Sequence, residues 1–296
     1  MPALAPELSA LHGRVLDWYA ANARPLPWRR PDTTPWGVLL SEVMSQQTPV
    51  ARVEPSWRAW LERWPTPADL AVDPPGEAVR AWGRLGYPRR ALRLHEAARA
   101  MVERHGGQVP STVEELLALP GIGAYTAAAV ACFAFEVPTV VVDTNVRRVL
   151  VRTLEGKAQA APTMTRAEVA LAEASLPRSP TEAVVWNVAA MELGALVCTA
   201  RSPRCGACPV ADLCAWNRAG RPAYDGPPRR GQSWDGTDRQ ARGALLAVLR
   251  AADEPVPLEA LTLAWPPEQQ RMRCLDSLVA DGLVEPLGPD RYRLPA

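Results

Sequence analysis

The sequence predicts an all-α fold made of two helical domains, followed by a small C-terminal domain. Three observations support this prediction. Residues 7–230 show a series of short helical patterns broken by Pro and Gly, with no extended alternation of apolar and polar residues. Four cysteines fall within 17 residues near the end of that region. Beyond them, residues 239–296 combine helical patterns with a strand–turn–strand pattern.

The helical patterns follow one another at short intervals. A chain of 296 residues is long enough for about two cores, and the short connections favour compact helical packing. The candidate helices before the tail cover about 7–21, 36–47, 51–64, 76–84, 88–105, 112–118, 124–134, 143–154, 165–175 and 181–195.

The tail begins after a stretch at 219–238 that is rich in Pro and Gly and is predicted to be a linker. Helical patterns then cover about 239–251, 257–264 and 267–282, and residues 284–295 predict a β-hairpin. Three helices and a terminal hairpin are typical of a winged helix, so we expect a winged-helix-like domain over 239–296. Arg271 and Arg273 on its third helix could face DNA phosphates, although a solvated charged face is the commoner meaning of two arginines.

The bulk composition does not identify a partner. The formal net charge is only +1, so the chain is not a globally basic nucleic-acid binder. Local surpluses exist, because residues 80–104 hold seven arginines against two glutamates and residues 197–230 hold six arginines against two aspartates. The opening residues show no basic-then-apolar signal pattern and no run of about 18 apolar residues occurs, so we expect a soluble protein with no membrane partner.

The clustered cysteines follow the pattern C-x6-C-x2-C-x5-C and are Cys198, Cys205, Cys208 and Cys214. Thiols this close favour a metal centre over disulfides, because nothing points to secretion. Iron–sulfur and zinc centres both suit thiolate ligands. Structural zinc sites favour two short knuckles and only one close pair is present, so the spacing favours one [4Fe–4S] cluster, with zinc as the alternative. The other two cysteines, Cys132 and Cys274, are interpreted as buried apolar residues.

A tight hairpin is predicted between two helical patterns, at residues 119–123. Gly121 and Gly123 flank one apolar residue there, which lets the backbone turn and present successive N–H groups beside a helix start. An anion is favoured at such a place. This is the helix-hairpin-helix signature, and its expected ligand is a DNA backbone phosphate, bound without regard to sequence.

Asp143 is one candidate acid. It follows three valines and precedes a helical pattern, so its ordinary interpretation is a helix N-cap. Asn145, Arg147 and Arg148 place polar and cationic groups beside it. A carboxylate held at a helix start and facing a groove can also stabilise a cation, and both interpretations stay open.

Glu42 is the other candidate acid. Its neighbours Leu39, Leu40, Val43 and Met44 are apolar, which predicts partial burial. Desolvation would raise the pKa of Glu42 and keep a proton available near neutral pH. The alternative is an ordinary surface glutamate.

Together, the hairpin, the downstream aspartate and the cysteine pattern resemble the iron–sulfur branch of the DNA glycosylase superfamily that includes endonuclease III and MutY. The resemblance covers about residues 7–222, and the three motifs fall in the family's order. It implies a helix-hairpin-helix DNA glycosylase fold with one [4Fe–4S] cluster. The implied domains are a six-helix module with the hairpin at 25–142 and a cluster domain formed by 1–24 and 143–218.

Several positions are similar to those of MutY-type adenine glycosylases in particular. Ser41 to Thr48 resemble the motif S-E-V-M-x-Q-Q-T with Glu42 in the catalytic position, and Met191 to Cys198 resemble the run into the cluster. Tyr125 stands where endonuclease III-type enzymes carry a nucleophilic lysine. The resemblance therefore implies a monofunctional enzyme, which cuts the glycosidic bond without cutting the strand.

Roles for individual residues are also implied by the resemblance. Glu42 would protonate the departing adenine and later activate water, and Asp143 would stabilise or capture the sugar cation. Tyr125 and Asn145 would help to position these groups. Gln47 and Tyr87 would assist the exit of the target base from the stack. The full set of expected DNA-contacting residues is Gln47, Tyr87, Gly121, Gly123, Arg147 and Arg201.

The tail departs from the family's pattern. Most MutY-type proteins end in a Nudix-like domain that reads 8-oxoguanine with a loop containing Ser and His. The tail of this chain is shorter and contains no histidine. We expect recognition of the lesion to be weaker or to use other residues, such as those around Tyr87.

We therefore expect a monomeric base excision repair enzyme of the bacterial cytoplasm, associated with the nucleoid. Its partner would be double-stranded DNA with a mismatched or damaged base pair, and it would release adenine opposite 8-oxoguanine or guanine. One alternative is a mismatch thymine or uracil glycosylase of the same fold, which would lack the glutamate at the position of Glu42. The other is a DNA-binding module without catalysis.

Overall fold

A computed structural model of the chain describes residues 5–226 and 234–296. Residues 227–233, in the middle of the predicted linker 219–238, lie outside the described residues. The helices in chain order are α1 (Ala5–Asn22), α2 (Pro35–Ser45), α3 (Val50–Arg63), α4 (Pro67–Val72), α5 (Pro75–Trp82), α6 (Arg89–His105), α7 (Val113–Leu117), α8 (Ala124–Phe135), α9 (Thr144–Glu155), α10 (Arg166–Ala174), α11 (Pro180–Leu196), α12 (Ala215–Arg218), α13 (Asp238–Ala251), α14 (Leu258–Ala264) and α15 (Glu268–Ala280).

The chain divides into two compact units. The first holds the described residues of Met1–Asp32, Ser111–Val113 and Ala124–Pro228. The second holds those of Thr33–Pro110, Glu114–Gly123 and Arg229–Ala296, and therefore includes the tail.

The core of the first unit is built around α9 and α11. These helices pack against each other, α9 also packs against α10 and α12, and α11 also packs against α1. Asp143 caps the start of α9, and Ser179 caps the start of α11 with Pro180 in its first turn. The buried residues of this core are Leu11, Val15, Val142, Val146, Val149, Leu150, Ala172, Trp186, Ala189, Ala190, Leu193, Val197 and Val210.

The second unit has α2 at its centre, and eight of the eleven residues of this helix are buried. The indole of Trp36 donates to the carbonyl of Trp64 at 3.0 Å, and the indole of Trp57 donates to the carbonyl of Gly37 at 2.7 Å. Buried indole N–H groups need such partners, and here they also fix α2 against α3. Glu42 is therefore carried by a rigid helix.

Within the second unit, the tail has the predicted winged-helix-like elements. Helix α13 packs against α14 and α15, and three short strands form an antiparallel sheet in the order β1–β3–β2. The strands are β1 (Val256–Pro257), β2 (Glu285–Pro286) and β3 (Arg291–Arg293).

Two arginines of α15 are used inside the tail. Arg271 is buried and donates to the carbonyls of Trp265 at 3.0 Å and Pro266 at 2.8 Å. Arg273 pairs with Asp238 at 2.8 Å. A contact with DNA phosphates was one of two interpretations of Arg271 and Arg273. Because Arg271 is buried, its side chain does not face a phosphate.

Most predicted helices are found within a few residues of their expected ends, and three elements were missed. The short helices α4 and α12 were missed because six and four residues hold too little periodicity to be recognised. Strand β1 was missed because its two residues are ordered only by pairing with Tyr292 and Arg291 on β3. None of the helices in the described ranges has the length and apolar character needed to cross a bilayer.

Candidate active site and cluster centre

The four clustered cysteines surround one cavity at the end of α11. Cys198 lies two residues after this helix, Cys205 and Cys208 flank a single turn of 3-10 helix, and Cys214 caps α12. All four line the same cavity, together with Arg152 and Trp216 and with apolar residues of α9 and α11. Short turns within residues 198–214 thus fold this segment of 17 residues around one cavity.

The donor set fits a multi-iron cluster. All four thiols line one cavity, and four cysteine thiolates are the ligand set of a [4Fe–4S] cluster. Burial and the neighbouring thiols raise the pKa of Cys208 to about 11, so its thiolate needs the positive charge of bound metal.

Arg152 supports this centre from α9. It is buried, its Nη1 donates to the Sγ of Cys198 at 3.3 Å and to the carbonyl of Thr199 at 2.8 Å, and its guanidinium stacks on Trp216 with 4.5 Å to the ring centre. A cation beside the thiolates offsets their negative charge, and N–H donation to a ligating sulfur stabilises the cluster.

Asp143 is held tightly at the start of α9. Its Oδ1 accepts from the backbone N–H of Asn145 at 2.8 Å and of Val146 at 2.7 Å, and its Oδ2 accepts from the Asn145 Nδ2 at 2.7 Å. Burial outweighs these three donors and raises the pKa of Asp143 above its ordinary value. The N-cap interpretation is thus confirmed, and the same geometry holds a desolvated carboxylate in one orientation.

A chain of hydrogen bonds joins this aspartate to the cluster loop. Asn145 accepts at its Oδ1 from the Arg148 Nη2 at 2.8 Å, and the Arg148 Nε donates to the carbonyl of Cys198 at 2.6 Å. Gly194 allows this approach, because a Cβ at that position would lie 2.7 Å from the Cβ of Asn145.

Arg147 requires a correction. A contact with DNA was expected for this residue, but its side chain is buried and pairs with Glu168 at 2.5 Å. The same guanidinium donates to the carbonyls of Ala161 and Thr163 at 2.9 Å each. Its donors are therefore used inside the first unit, where they fix the segment before α10, and it does not face a phosphate.

Tyr125 lies near the start of α8. It is half-buried and packs on a small apolar cluster that contains Ala128, Ala129, Cys132 and Val141. The segment that leads to Asp143 is thereby packed against α8, in the same unit as Asp143.

A buried charge network was missed by the sequence analysis. Glu192 on α11 is fully buried, and it binds Arg24 through two hydrogen bonds of 2.7 Å and Arg29 at 2.9 Å. The two arginines lower the pKa of Glu192 to about 2, against the opposing effect of burial. The only indication of this network in the sequence is an acidic residue in an otherwise apolar helical run. Its partners lie more than 160 positions away in the chain.

Glu42 belongs to the second unit. It is half-buried between the buried residues Ser41 and Val43 of α2, which agrees with the burial expected from its apolar neighbours. Its expected role as an acid stays a prediction.

Tyr87 and Gln47 lie at two loop tips that meet. Tyr87 is 51% exposed, and its hydroxyl donates to the Gln47 Oε1 at 2.7 Å. Both residues have a positive φ, of 47° for Tyr87 and 54° for Gln47. Such backbone conformations are costly for residues other than glycine, and they concentrate at functional sites.

The hairpin glycines have different surroundings. Gly121 has φ of 75°, and a Cβ there would lie 2.5 Å from the Cβ of Arg93, so glycine is required. A Cβ at Gly123 would meet nothing within 4 Å, which leaves the backbone open to a ligand just before α8 begins. Arg201, on the cluster loop, is exposed.

Comparison with known proteins identifies the class to which this fold and site belong. A family model described as HhH-GPD superfamily base excision DNA repair protein matches residues 40–173. A second, described as the iron-sulfur binding domain of endonuclease III, matches residues 198–214. A solved structure of a thermostable thymine-DNA glycosylase aligns with a TM-score of 0.64 and 27% identity, over 72% of this chain and 98% of that one. The class is a DNA glycosylase of the helix-hairpin-helix type with an iron–sulfur domain.

Individual relatives narrow the identification. The adenine DNA glycosylase of Mycobacterium tuberculosis is 52% identical over 303 residues, which covers 100% of this chain and 99% of the relative. The adenine DNA glycosylase of Homo sapiens is 44% identical over 218 residues, which covers 70% of this chain and 39% of that protein. The chain belongs to the adenine DNA glycosylase family. It is a DNA-binding enzyme of base excision repair that hydrolyses the N-glycosidic bond of adenine and carries one iron–sulfur cluster, so the predicted activity and the preference for iron–sulfur over zinc are confirmed.

Proposed function

We propose that the adenine removed by this enzyme is mispaired with 8-oxoguanine or guanine in double-stranded DNA, and that one copy of the chain acts alone. The observation that carries the mechanism is the environment of Asp143. Its carboxylate is half-buried and fixed by three hydrogen bonds, and desolvation raises its pKa.

Asp143 stabilises the positive charge that develops on the deoxyribose. Breaking the adenine N-glycosidic bond passes through an oxocarbenium-like transition state, which a nearby carboxylate favours. A carboxylate removed from water interacts more strongly with that charge than an exposed one. The hydrogen bond from Asn145 holds it in one orientation before the reaction starts, so little reorganisation is needed.

Glu42 supplies the proton for the departing adenine and then activates the attacking water. Protonation turns the purine into a better leaving group, and a partly buried carboxyl group can retain its proton near neutral pH. The position of Glu42 on a rigid, largely buried helix supports this role, because general acids must be held within hydrogen-bond reach of their target.

The enzyme is monofunctional. A bifunctional glycosylase needs an amine nucleophile, and Tyr125 lies in the hairpin helix where such a lysine would stand. The one lysine of the chain, Lys157, is exposed and pairs with Glu155 at 2.7 Å, after the end of α9. No Schiff base with the abasic sugar is therefore expected.

DNA is held by the backbone at Gly121 and Gly123, by Arg201 on the cluster loop, and by Tyr87 with Gln47 at the point where the target base leaves the stack. The iron–sulfur cluster, when bound, cross-links the loop of residues 198–214, and the exposed Arg201 supplies positive charge on that loop. Tyr87 is an exposed aromatic residue that can insert beside the unstacked base.

Base release from defined duplexes tests the proposal. Purified protein is incubated with duplexes that contain A:8-oxoguanine, A:G, T:G and U:G pairs, and alkali then cleaves any abasic sites. We expect cleavage of the adenine strand only, and only after alkali. Glu42→Gln should abolish release and leave duplex binding nearly intact, whereas the matched variant Glu54→Gln, on the exposed side of α3, should behave as the parent.

Three results would contradict the proposal. Release of thymine or uracil would assign the mismatch specificity of a thymine or uracil glycosylase. Strand cleavage without alkali, or covalent trapping with borohydride, would show a bifunctional enzyme. Unchanged base release by Glu42→Gln would remove that residue from the mechanism.

A further inference from the structure

The C-terminal domain is attached to the helices that bracket Tyr87. Residues 83–88 connect α5 to α6 and carry Tyr87 near their end. The tail, residues 239–296, belongs to the same compact unit as these helices. Its contacts with them are specific rather than diffuse.

Arg250 of the tail holds the C-terminal end of α5. It lies in the last turn of α13, its Nε donates to the carbonyl of Val79 at 2.9 Å, and its Nη1 donates to the carbonyl of Gly83 at 2.6 Å. The last carbonyls of a helix lack partners within the helix and carry partial negative charge, so a cation is favoured there. Arg250 is half-buried, and this burial lowers its pKa to about 10.

The contact is reciprocal. Arg80 on α5 donates to the carbonyl of Arg250 and to the carbonyl of Ala252 at 2.9 Å, at the end of α13. Each helix thus has its C-terminal end capped by an arginine of the other. Gly76 at the start of α5 also donates to the carbonyl of Pro295 at 2.8 Å, and a Cβ there would lie 2.3 Å from that oxygen.

A second attachment lies at the other end of the loop. Asp281, just after α15, pairs with Arg89 in the first turn of α6 at 3.2 Å and with Arg242 of α13 at 2.5 Å. The tail therefore contacts the residues directly after the loop as well as those directly before it.

The loop between these attachments is itself ordered around Tyr87. Arg90 donates to the carbonyls of Gly86 at 3.1 Å, Val43 at 2.5 Å and Gln46 at 2.9 Å. It therefore ties the Tyr87 loop to the end of α2, where Gln47 follows. The positive φ of Tyr87 is a conformation that persists only when its surroundings impose it.

We propose that the C-terminal domain is a positioning element for Tyr87, in which Arg250 and Asp281 hold the two ends of residues 83–88 in the conformation that presents this side chain to duplex DNA. The proposal rests on the proposed function, in which Tyr87 inserts beside the target base. Holding a loop in its bound conformation removes the cost of ordering it at the moment of binding. The tail thus contributes to base exposure without contacting the DNA itself.

A double-mutant cycle in the full-length protein tests this role. The variants are Arg250→Met, Tyr87→Ala and the two combined, and the readouts are the single-turnover rate of adenine release and the fluorescence of 2-aminopurine placed beside the mismatch. We expect Arg250→Met to lower the rate about tenfold and to reduce the fluorescence increase, because small displacements of positioning groups are costly. In the Tyr87→Ala background the same substitution should change the rate by less than about twofold, since coupled residues are not additive.

The matched control is Arg291→Met, which removes an exposed arginine at the tip of the tail. It should leave both readouts within about twofold of the parent, as expected for surface changes. If Arg250→Met is too unstable to purify, Asp281→Asn tests the second attachment in the same cycle, with an expected loss of about threefold that also depends on Tyr87.

The outcomes separate the two proposals. An equal loss from Arg250→Met with and without Tyr87 would overturn the positioning role, as would no loss at all. Weaker DNA binding by Arg291→Met would overturn it too, because the tail would then contact DNA directly. If Tyr87→Ala alone leaves rate and fluorescence unchanged, the insertion role of Tyr87 fails, whatever Arg250→Met does.

Discussion

The guanidinium of Arg148 connects the cysteine loop to Asp143, the half-buried aspartate before α9. It donates to the carbonyl of Cys198 at 2.6 Å and to the Oδ1 of Asn145 at 2.8 Å, and Asn145 in turn donates to Asp143 at 2.7 Å. Because Asn145 has one carbonyl oxygen and one amide nitrogen, Arg148 also fixes which of them faces the carboxylate. The position of the first cluster ligand is thus linked to the orientation of the proposed catalytic carboxylate.

This link predicts a loss of activity without loss of the cluster. In Arg148→Gln the contact with the Cys198 carbonyl is broken and Asn145 can turn its amide, so we expect adenine release to fall about 10- to 100-fold. The absorbance band at about 400 nm that is expected of such clusters should be retained. Arg204→Gln is the matched control, because Arg204 lies on the same loop and donates to the carbonyl of Leu196 at the end of α11, not to Asn145. Loss of the band together with activity would show that Arg148 only retains the cluster.

The pH dependence of adenine release should report on Asp143. Its pKa is raised by burial, and the charge of Arg148 works in the opposite direction. Because the reaction needs the carboxylate, activity should fall on the acid side at a higher pH than an aspartate with an ordinary pKa would give. In Arg148→Gln the opposing charge is gone, so the acid limb of the pH–rate profile should move to still higher pH. An acid limb that stays in place would argue against Asp143 as the titrating group.

The substitution Asp143→Asn distinguishes the proposed catalytic role of this residue from its role as the N-cap of α9. Asparagine is also a good N-cap, so the thermal stability of the protein should change little. The loss of the negative charge should lower adenine release by about 10²-fold or more, while duplex binding is retained. Asp212→Asn, which alters an exposed aspartate paired with Arg14, is the control and should leave the rate unchanged. The comparison is made with single-turnover rates and filter-binding curves.

Removal of one cluster ligand should unfold its loop. Cys208→Ser takes a ligand from the centre, so the band at about 400 nm should be lost or greatly reduced and the loop of residues 198–214 should become sensitive to protease. Cys274→Ser is the matched control, because Cys274 is buried in the tail, away from the cluster sequence. Retention of the band in Cys208→Ser would show that this cysteine is not a ligand.

The lowered pKa of Glu192 predicts how the stability of the protein changes in acid. Its pKa is about 2 in the folded protein, below the ordinary value of 4.5 for a glutamate, because of Arg24 and Arg29. A lowered pKa stabilises the fold above the unfolded value, and this contribution is lost as the pH falls from about 4.5 towards 2. For this fully buried group the contribution is about 3 kcal/mol. Denaturant unfolding should find Glu192→Gln less stable than the parent at pH 7, and the difference should shrink as the pH falls through this window.

Substitutions of Arg147 and Arg201 should have different effects on the salt dependence of DNA binding. Arg147 is buried against Glu168, so Arg147→Met should lower the melting temperature and leave the salt dependence of DNA binding unchanged. Arg201 is exposed on the cluster loop, so Arg201→Met should reduce the slope of log K against log salt by about one. Binding isotherms at four salt concentrations measure both slopes. If Arg147→Met changed this slope, the result would show that Arg147 contacts DNA, contrary to what its burial indicates.

Features that depend on neighbours in the chain were predictable. Helix starts at Asp143 and Ser179, the tight turn at Gly121 and the spacing of the four cysteines are written in residues a few positions apart. The hydroxyl of Tyr87 meeting Gln47, 40 positions away, was approached only through a resemblance to a family.

By itself, the sequence determined the elements and the chemistry available at each of them: helices, hairpin, cluster ligands and two candidate acids. Only the tertiary structure decided which polar side chains are used internally. It paired Arg147 with Glu168, enclosed Glu192 between two arginines and placed Arg250 of the tail on the end of α5. The physical reason is that the partner of a long charged side chain is chosen by packing between segments far apart in the chain, and no local pattern records that choice.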